Sequence, residues 1–147
     1  GWATGKTNEI WKSHNGRIWS KVSGATSSLI RPTEDFPIKF KHSAVVHNNA
    51  VWVTGGSKIE DDTAQGKDIW VSSDMKNWTK YGGRVPFDPH IKTAMLSYDN
   101  KILLLGGLQF PTTRGFIFSK SIWSIKPKSK AWIPVEIPRE YPDIPHF

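Results

Sequence analysis

Apolar residues gather in short runs along the chain, and turn-forming residues separate these runs. The clearest runs are residues 42–46, 51–54, 91–96 and 102–105. Asn48-Asn49 separates the first two runs, and Asp99-Asn100 separates the last two. Short apolar runs joined by Asn and Asp residues are typical of β-hairpins. We find no long apolar pattern with a period of about 3.6 residues bounded by helix caps, so the pattern predicts an all-β chain.

The tryptophans repeat at regular intervals. Three Ile-Trp dipeptides, at Trp11, Trp70 and Trp123, hold equivalent positions that are 59 and then 53 residues apart. A second tryptophan follows each copy, at Trp19, Trp78 and Trp132. The last two copies are preceded by a glycine pair, at Gly55-Gly56 and Gly106-Gly107. The unit is therefore strand, turn, strand, Gly-Gly, loop, strand, turn and strand, which is expected of one propeller blade.

This unit resembles the kelch repeat of β-propellers, and the resemblance covers nearly the whole chain. Kelch repeats carry Gly-Gly after the second strand, an aromatic residue in the third and a Trp that opens the fourth. The matching residues are Gly55, Gly56, Trp70, Trp78, Gly106, Gly107, Trp123 and Trp132. The segment from Ile10 to Trp19 is similar to the short repeats of bacterial propellers, and the blades are also similar to those of the galactose oxidase central domain. The resemblance implies a partial β-propeller of four-stranded antiparallel blades and, by analogy, a secreted or cell-surface protein.

The phase of the repeat predicts how blades divide the chain. We expect a half blade over residues 1–22, whole blades over 42–81 and 90–137, and a link over 138–147 that leads to a missing blade. Such blades hold ten strands, two in the half blade and four in each whole one. On this prediction the chain is a segment of one longer propeller domain. The remaining blades come either from a parent chain or from association of copies, because exposed strand edges attract partners.

Composition narrows the classes of function. The chain has 147 residues, no cysteine and a net charge of +7. The lack of cysteine excludes disulfides, thiolate metal sites and a copper site of the galactose oxidase type, which uses a Tyr cross-linked to Cys. Lysine and arginine are scattered, apart from Lys120, Lys126, Lys128 and Lys130. We interpret the charge as a solvated surface and expect no nucleic-acid partner. No apolar run is long enough to cross a bilayer, and we expect no membrane insertion.

The repeated glycines and tryptophans are interpreted as structural. Glycine allows a positive φ where a strand turns sharply into a loop, and a tryptophan can fill the wedge between adjacent blades. Residues 72–78 resemble the Asp-box turn, Ser-x-Asp-x-Gly-x-x-Trp, although they are one residue short and Lys76 stands where Gly is expected. We expect Asp74 to close this turn by accepting backbone hydrogen bonds. His14 and His47 fall in predicted turns and are expected to be exposed.

The loops that follow the glycine pairs form the candidate binding surface. They span residues 57–67 and 108–120, and the links 23–41 and 82–89 between blades are expected on the same face. The turns at the opposite face are much shorter, and long loops on a rigid frame often bind ligands. The candidate binding residues in these loops are Glu60, Asp61, Asp62, Phe110, Arg114 and Phe116. Exposed aromatic and arginine side chains anchor many interfaces, so the loops favour a binding scaffold for a protein or a glycan.

A carbohydrate-active propeller enzyme is the alternative. It would be a mutarotase, a lyase or a sialidase-like enzyme whose site lies largely in the missing blades. The adjacent carboxylates at residues 60–62 could bind a cation or serve as acid and base, although a solvated loop is the simpler interpretation. The sequence contains no Gly-x-Ser-x-Gly or His-Glu-x-x-His motif. We therefore assign no catalytic residue, no metal and no cofactor, and we favour a binding protein over an enzyme.

Overall fold

The computed structural model describes residues 9–23, 40–57, 68–82, 85–87, 90–109 and 117–136. The strands in this part of the chain are β1 (Ile10–Ser13), β2 (Trp19–Ser23), β3 (Phe40–His47), β4 (Ala50–Ser57), β5 (Ile69–Ser72), β6 (Thr79–Lys80), β7 (His90–Ile91), β8 (Ala94–Tyr98), β9 (Lys101–Leu105), β10 (Leu108–Gln109), β11 (Ile117–Phe118), β12 (Ile122–Ile125) and β13 (Trp132–Pro134). A short 3-10 turn, Pro127–Ser129, is the one helical element among the described residues. The predicted all-β fold class is confirmed.

Most of the strands belong to a hairpin and two four-stranded sheets. The N-terminal hairpin pairs β1 with β2, the middle sheet has the order β3-β4-β5-β6, and the last sheet has the order β8-β9-β12-β13. All neighbouring strands in them are antiparallel. Strands that follow one another in both sequence and space form a meander, which is the arrangement of a propeller-like blade.

A two-residue turn closes the first hairpin of the middle sheet and of the last sheet. Asn48 and Asn49 have φ angles of 49° and 58°, and Asp99 and Asn100 have φ angles of 47° and 55°. Two consecutive left-handed residues define a type I′ turn, whose twist matches that of antiparallel strands. Asn and Asp tolerate this conformation better than most residues do, so the turn residues that the sequence singles out are the ones that turn the chain.

A third, small sheet departs from the predicted pattern. It has the order β11-β10-β7, and its strands are two residues long. Residues 91–96 were predicted as one strand, but Lys92 has a φ of 55° and divides the segment into β7 and β8. The left-handed residue redirects the chain, so that β7 pairs with β10 while β8 pairs with β9. The predicted 108–120 loop is likewise not a bare loop, because both of its arms are strands.

The hydrophobic core lies between the middle and last sheets. The middle sheet places Val45, Trp52 and Val71 in register on one face, because residues directly opposite on paired strands point to the same side. The last sheet faces them with side chains from all four of its strands. The buried residues of this core are Trp52, Ile69, Phe87, Met95, Ile102, Leu104, Ile125 and Trp132. The core therefore stabilises the two sheets against each other rather than either sheet alone.

The link between these sheets fills the wedge between them. Phe87 is buried, and its ring lies 5.3 Å from that of Trp132, edge to face, and 5.9 Å from that of Trp123. Tyr81 packs edge to face on Trp52 at 5.3 Å and donates its hydroxyl hydrogen to the carbonyl oxygen of Pro127 at 3.3 Å. Phe87 is thus a core residue, whereas the sequence interpretation placed the whole 82–89 link on the binding face.

The repeated tryptophans do not all have the same environment. Trp132 is buried and Trp123 is half-buried, as expected of side chains that pack between blades. Trp70 and Trp78 are half-buried as well. Trp11 and Trp19, at the equivalent positions of the N-terminal hairpin, are exposed. The packing interpretation therefore applies to the two complete sheets and not to the hairpin.

Replacing Trp132 with alanine should lower the free energy of unfolding by about 3–5 kcal/mol, because the change opens a large cavity against Phe87. Trp19→Ala is the matched control, since Trp19 opens its strand at the equivalent position but is exposed. In dilute protein we expect it to cost less than about 1 kcal/mol. Urea unfolding followed by tryptophan fluorescence measures both values. Equal losses in the two variants would contradict the assignment of the core.

Candidate functional site

The glycine pairs lie at the end of each complete sheet that is opposite the two-residue turns. All four glycines have left-handed backbone angles, with φ values of 68° at Gly55, 83° at Gly56, 56° at Gly106 and 97° at Gly107. Residues with a Cβ rarely adopt such angles. The Gly106-Gly107 pair turns the chain away from β9, as the sequence predicts, whereas Gly55-Gly56 lies inside β4, which stays paired with β3 as far as Ser57.

A glycine is also required at position 107 because β7 passes close to its backbone. A Cβ atom on Gly107 would lie 2.8 Å from the carbonyl oxygen of Ile91 and 2.5 Å from Cγ2 of Thr93. On the other side, the carbonyl oxygen of Gly107 accepts a hydrogen bond of 2.8 Å from the backbone N–H of Ser119. The backbone N–H of Gly106 donates to the carbonyl oxygen of Ser121 at 3.0 Å. These contacts fix the direction in which the next hairpin leaves the last sheet.

That hairpin, β10–β11, is the stem of the predicted aromatic loop. Leu108 pairs with Phe118 and Gln109 with Ile117, and β10 pairs with β7 along its other edge. The Phe118 side chain is 68% exposed and that of Ile117 is 47% exposed. The stem thus presents an apolar surface below the loop tip at residues 110–116. The sequence interpretation missed Ile117 and Phe118, although the β-prone run of residues 116–118 was a signal for a strand.

The candidate binding residues themselves lie outside the described residues. These are Glu60, Asp61 and Asp62 in one loop and Phe110, Arg114 and Phe116 in the other. At the base of the acidic loop, the Thr54 hydroxyl donates to the carbonyl oxygen of Asp68 at 3.5 Å. Lys80 forms an ion pair of 2.7 Å with the Asp68 carboxylate. The proximity of the acidic and aromatic loops stays a prediction. No group of three or more His, Asp and Glu residues that could hold a metal occurs among the described residues.

The turn at residues 72–78 lies at the opposite end of the middle sheet and has the geometry expected of Asp74. One carboxylate oxygen of Asp74 accepts backbone hydrogen bonds from Lys76 and Asn77, both at 2.8 Å. The other oxygen accepts a hydrogen bond from the Asn77 side chain at 2.7 Å. The Ser72 hydroxyl oxygen accepts a backbone hydrogen bond of 2.8 Å from Met75. Asp74 therefore closes a structural turn, as the sequence predicts.

The N-terminal hairpin contains the same turn with an uncharged residue. The Asn15 side-chain oxygen accepts backbone hydrogen bonds from Arg17 and Ile18, both at 2.9 Å. The Ser13 hydroxyl accepts one from Gly16 at 2.9 Å. Asn15 corresponds to Asp74 in the repeat. Comparing the two turns therefore shows what a charged side chain adds to the same turn geometry. The pKa of Asp74 lies far below its ordinary value of 3.8, chiefly because the backbone N–H groups of Asn77 and Lys76 stabilise the carboxylate.

His47 was expected to be exposed, and this prediction is wrong. It is buried, and its Nδ1 atom lies 2.8 Å from the hydroxyl oxygen of Ser97 in the last sheet. Its Nε2 atom lies 3.1 Å from the side-chain nitrogen of Asn48. Asn48 in turn donates a hydrogen bond of 3.4 Å to the side-chain oxygen of Asn100. The turn was identified correctly, but the neighbouring sheet buries the imidazole, whereas His14 in the N-terminal hairpin is exposed as expected.

These features define a class of protein: an all-β chain built from propeller-like, four-stranded antiparallel sheets. The solved structure of YjhT, a protein with a propeller-like fold, is similar to it, with a TM-score of 0.56 and 16% sequence identity. The match covers 69% of this chain and 28% of YjhT, so the chain spans less than a third of that protein's length. At this identity the similarity shows the fold alone. In total, 104 solved chains match, and a fold shared so widely does not select an activity.

Comparisons with protein families and with curated proteins found no match. No family model matches the sequence, and no curated protein matches it. Within the part of the chain that the structure describes, no helix is long and apolar enough to cross a membrane.

Three glycine-to-alanine substitutions should separate the effects of strain and steric contact. Gly82→Ala should change the free energy of unfolding by less than about 0.5 kcal/mol, because its Cβ meets open space and its φ is not left-handed. Gly16→Ala, with a φ of +71° and open space, should cost about 1–2 kcal/mol. Gly107→Ala should cost more than either, because its Cβ also meets backbone. Chemical unfolding measures all three, and a neutral Gly107→Ala would show that β7 does not approach closely.

The stability conferred by the Asp74 turn should depend on pH. Because folding lowers the pKa of Asp74, its carboxylate stabilises the native state above the ordinary value of 3.8, and this stabilisation is lost as the pH falls towards the native pKa. Asp74→Asn retains an acceptor like that of Asn15 but does not titrate. Melting temperatures between neutral pH and about pH 3 should therefore fall less steeply for this variant than for the parent. If the melting temperatures of the two proteins fall equally with pH, Asp74 does not contribute to the loss of stability in acid.

Proposed function

We propose that the chain is a kelch-type binding scaffold that recognises a protein or a glycan through the loops at its glycine-pair end. The main support is the contrast between the two ends of the sheets. At one end, two-residue turns connect the strands of each first hairpin. At the other end, the chain leaves the last sheet through a stem in which β10 is paired on both sides and the edge strand β11 has an exposed Phe118. Long loops on a rigid frame are where proteins commonly place recognition residues.

The stem supports this proposal because it is positioned before any ligand arrives. Backbone pairing with β7 and the close approach at Gly107 limit its movement. Binding to a fixed surface costs less conformational entropy than binding that must order a flexible loop. A loop tip on such a stem therefore loses less conformational entropy when it binds a ligand.

The residue types in the two loops indicate the ligand class. The tip at residues 110–116 adds two phenylalanines and Arg114 to the exposed apolar stem, and the other loop has three adjacent acids at residues 60–62. Aromatic faces stack on sugar rings and on apolar side chains, and an arginine binds carboxylates in a bidentate manner. Nucleic-acid backbones favour uniformly positive surfaces, which these loops do not form. The mixture suits a glycan or a protein surface with charges of both signs.

The proposal is tested with two loop replacements in the full chain. Residues 58–67 and 110–116 are each replaced by an Asn-Gly turn, and a glycan array and a phage-displayed peptide library serve as probes. The parent chain should bind a defined set of ligands, and each replacement should weaken binding by about tenfold or more. Phe118→Ser should also weaken binding, because it removes the apolar surface of the stem.

Val46→Ser is the matched control for Phe118→Ser. Val46 is also an exposed apolar residue, but it lies next to the two-residue turn at the opposite end of the middle sheet. The Val46→Ser variant should bind the probes as the parent does, and all variants should keep the parent's melting temperature. Retention of binding by both loop replacements would move the site away from these loops. A parent chain that binds neither probe would contradict the proposal.

A further inference from the structure

The turn of the N-terminal hairpin contains the one Asn-Gly dipeptide of the sequence, Asn15-Gly16. The backbone nitrogen that follows an asparagine can attack the carbonyl carbon of the asparagine side chain. Glycine hinders this attack least, because it has no Cβ. Asn15 and Gly16 are both exposed, and the space beside the Cα of Gly16 is open. Both the attacking nitrogen and solvent water therefore have access to the side chain of Asn15.

The exposure of this turn does not depend on whether a sheet packs beside the hairpin. The equivalent turn of the middle sheet still exposes Asp74 and Lys76, although the last sheet covers one face of that sheet. The last sheet likewise exposes Lys128 and Lys130 in its turn, although its tryptophan face is packed. Turns extend along the strands and away from the packed faces, so a further sheet beside the hairpin would leave Asn15 in solvent.

Three hydrogen-bond donors surround the oxygen that would become negative during this attack. The backbone N–H groups of Arg17 and Ile18 both donate to Oδ1 of Asn15 at 2.9 Å. The Ser13 hydroxyl donates to the same oxygen at 3.3 Å. Donors aimed at a carbonyl oxygen stabilise the charge that develops when the carbonyl carbon is attacked, as they do in an oxyanion hole. The folded turn therefore activates the side-chain amide of Asn15.

The Ser13 hydroxyl also connects the attacking nitrogen to this oxygen. Its oxygen accepts a hydrogen bond of 2.9 Å from the backbone N–H of Gly16, while its hydrogen is donated to Oδ1 of Asn15. A hydroxyl group can accept and donate at the same time. Ser13 can therefore take the proton that Gly16 must lose and pass its own proton to the oxygen that becomes negative. Such a transfer is general acid–base catalysis by a positioned side chain.

We propose that Asn15 is a self-modification site, at which the folded turn converts the asparagine to an aspartate without another protein. The Gly16 nitrogen forms a bond with Cγ of Asn15, and its proton passes through Ser13 to Oδ1. The bond between Cγ and Nδ2 then breaks, and the nitrogen leaves as ammonia with the proton returned from the oxygen. The remaining succinimide ring is opened by water. Attack at Cγ gives aspartate, and attack at the main-chain carbonyl gives isoaspartate.

The middle sheet contains the same turn with the product side chain already present. Asp74 stands where the hairpin has Asn15, and Met75 stands where it has Gly16. Ser72 and the backbone make the same pattern of hydrogen bonds there. The aspartate form therefore fits this turn, and the conversion adds a negative charge to the hairpin. The inference is independent of the proposed function, since it rests on this turn and not on the long loops.

Peptide mapping by mass spectrometry tests the proposal on the full chain, incubated at neutral pH with and without urea. In the folded chain the peptide that contains Asn15 should gain about 1 Da with time. Asn48, Asn77 and Asn100 are internal controls, because the residue after each of them has a Cβ, and they should stay unchanged over the same time. The folded chain should convert Asn15 at least as fast as the chain in urea. Slower conversion in the folded chain would show that the turn protects Asn15, and it would overturn the proposal.

Substitutions at two positions test the chemistry. Ser13→Ala removes the hydroxyl and should slow conversion in the folded chain by about tenfold or more, whereas Ser13→Thr keeps a hydroxyl and should convert as the parent does. Gly16→Met copies the middle-sheet turn, where Met75 has a φ of 61°, and it should slow conversion because its side chain hinders the attack. In urea, Ser13→Ala should convert at the parent's rate. Unchanged conversion of folded Ser13→Ala would contradict the role of Ser13. The comparison of the parent with and without urea needs no variant, so it decides the proposal even if Ser13→Ala disturbs the turn.

Discussion

The packing of the middle sheet on the last sheet is the interaction on which the rest of the structure depends. A four-stranded sheet this small has two faces and little interior of its own, so its apolar side chains are buried only by a neighbouring sheet. Trp52 and Trp132 contribute large apolar surfaces from opposite sides of the interface, and Phe87 fills the wedge between them. Because Phe87 comes from the link, the connection between the sheets is also part of their core.

Left-handed backbone angles occur at the two ends of the packed sheets. Short I′ turns keep one end of each sheet compact, and Asn and Asp residues supply the left-handed angles there. At the other end the chain must leave the plane of the sheet. The Gly106-Gly107 pair meets this need in the last sheet, and at Gly107 the neighbouring strand leaves no room for a side chain. The two ends of the sheets therefore differ physically before any ligand is considered.

The sequence predicted the elements that depend on local chemistry. The turns at Asn48-Asn49 and Asp99-Asn100, the glycine pairs and the Asp74 turn all follow from the preferences of the residues themselves. It did not predict features that arise from neighbouring sheets. His47 is buried because Ser97 of the next sheet lies beside it, and Lys92 divides a β-prone run because β7 has a partner in β10. The β-prone run at residues 116–118 was a signal for the strand Ile117–Phe118, but its pairing in the stem depends on β10, which is held by the neighbouring strand β7.

The contrast between equivalent tryptophans has a general consequence for this architecture. Trp19 and Trp132 open their strands at the same position of the repeat, yet one is exposed and the other buried. The residue type is therefore set by the repeat, whereas the environment is set by whether a neighbouring sheet is present.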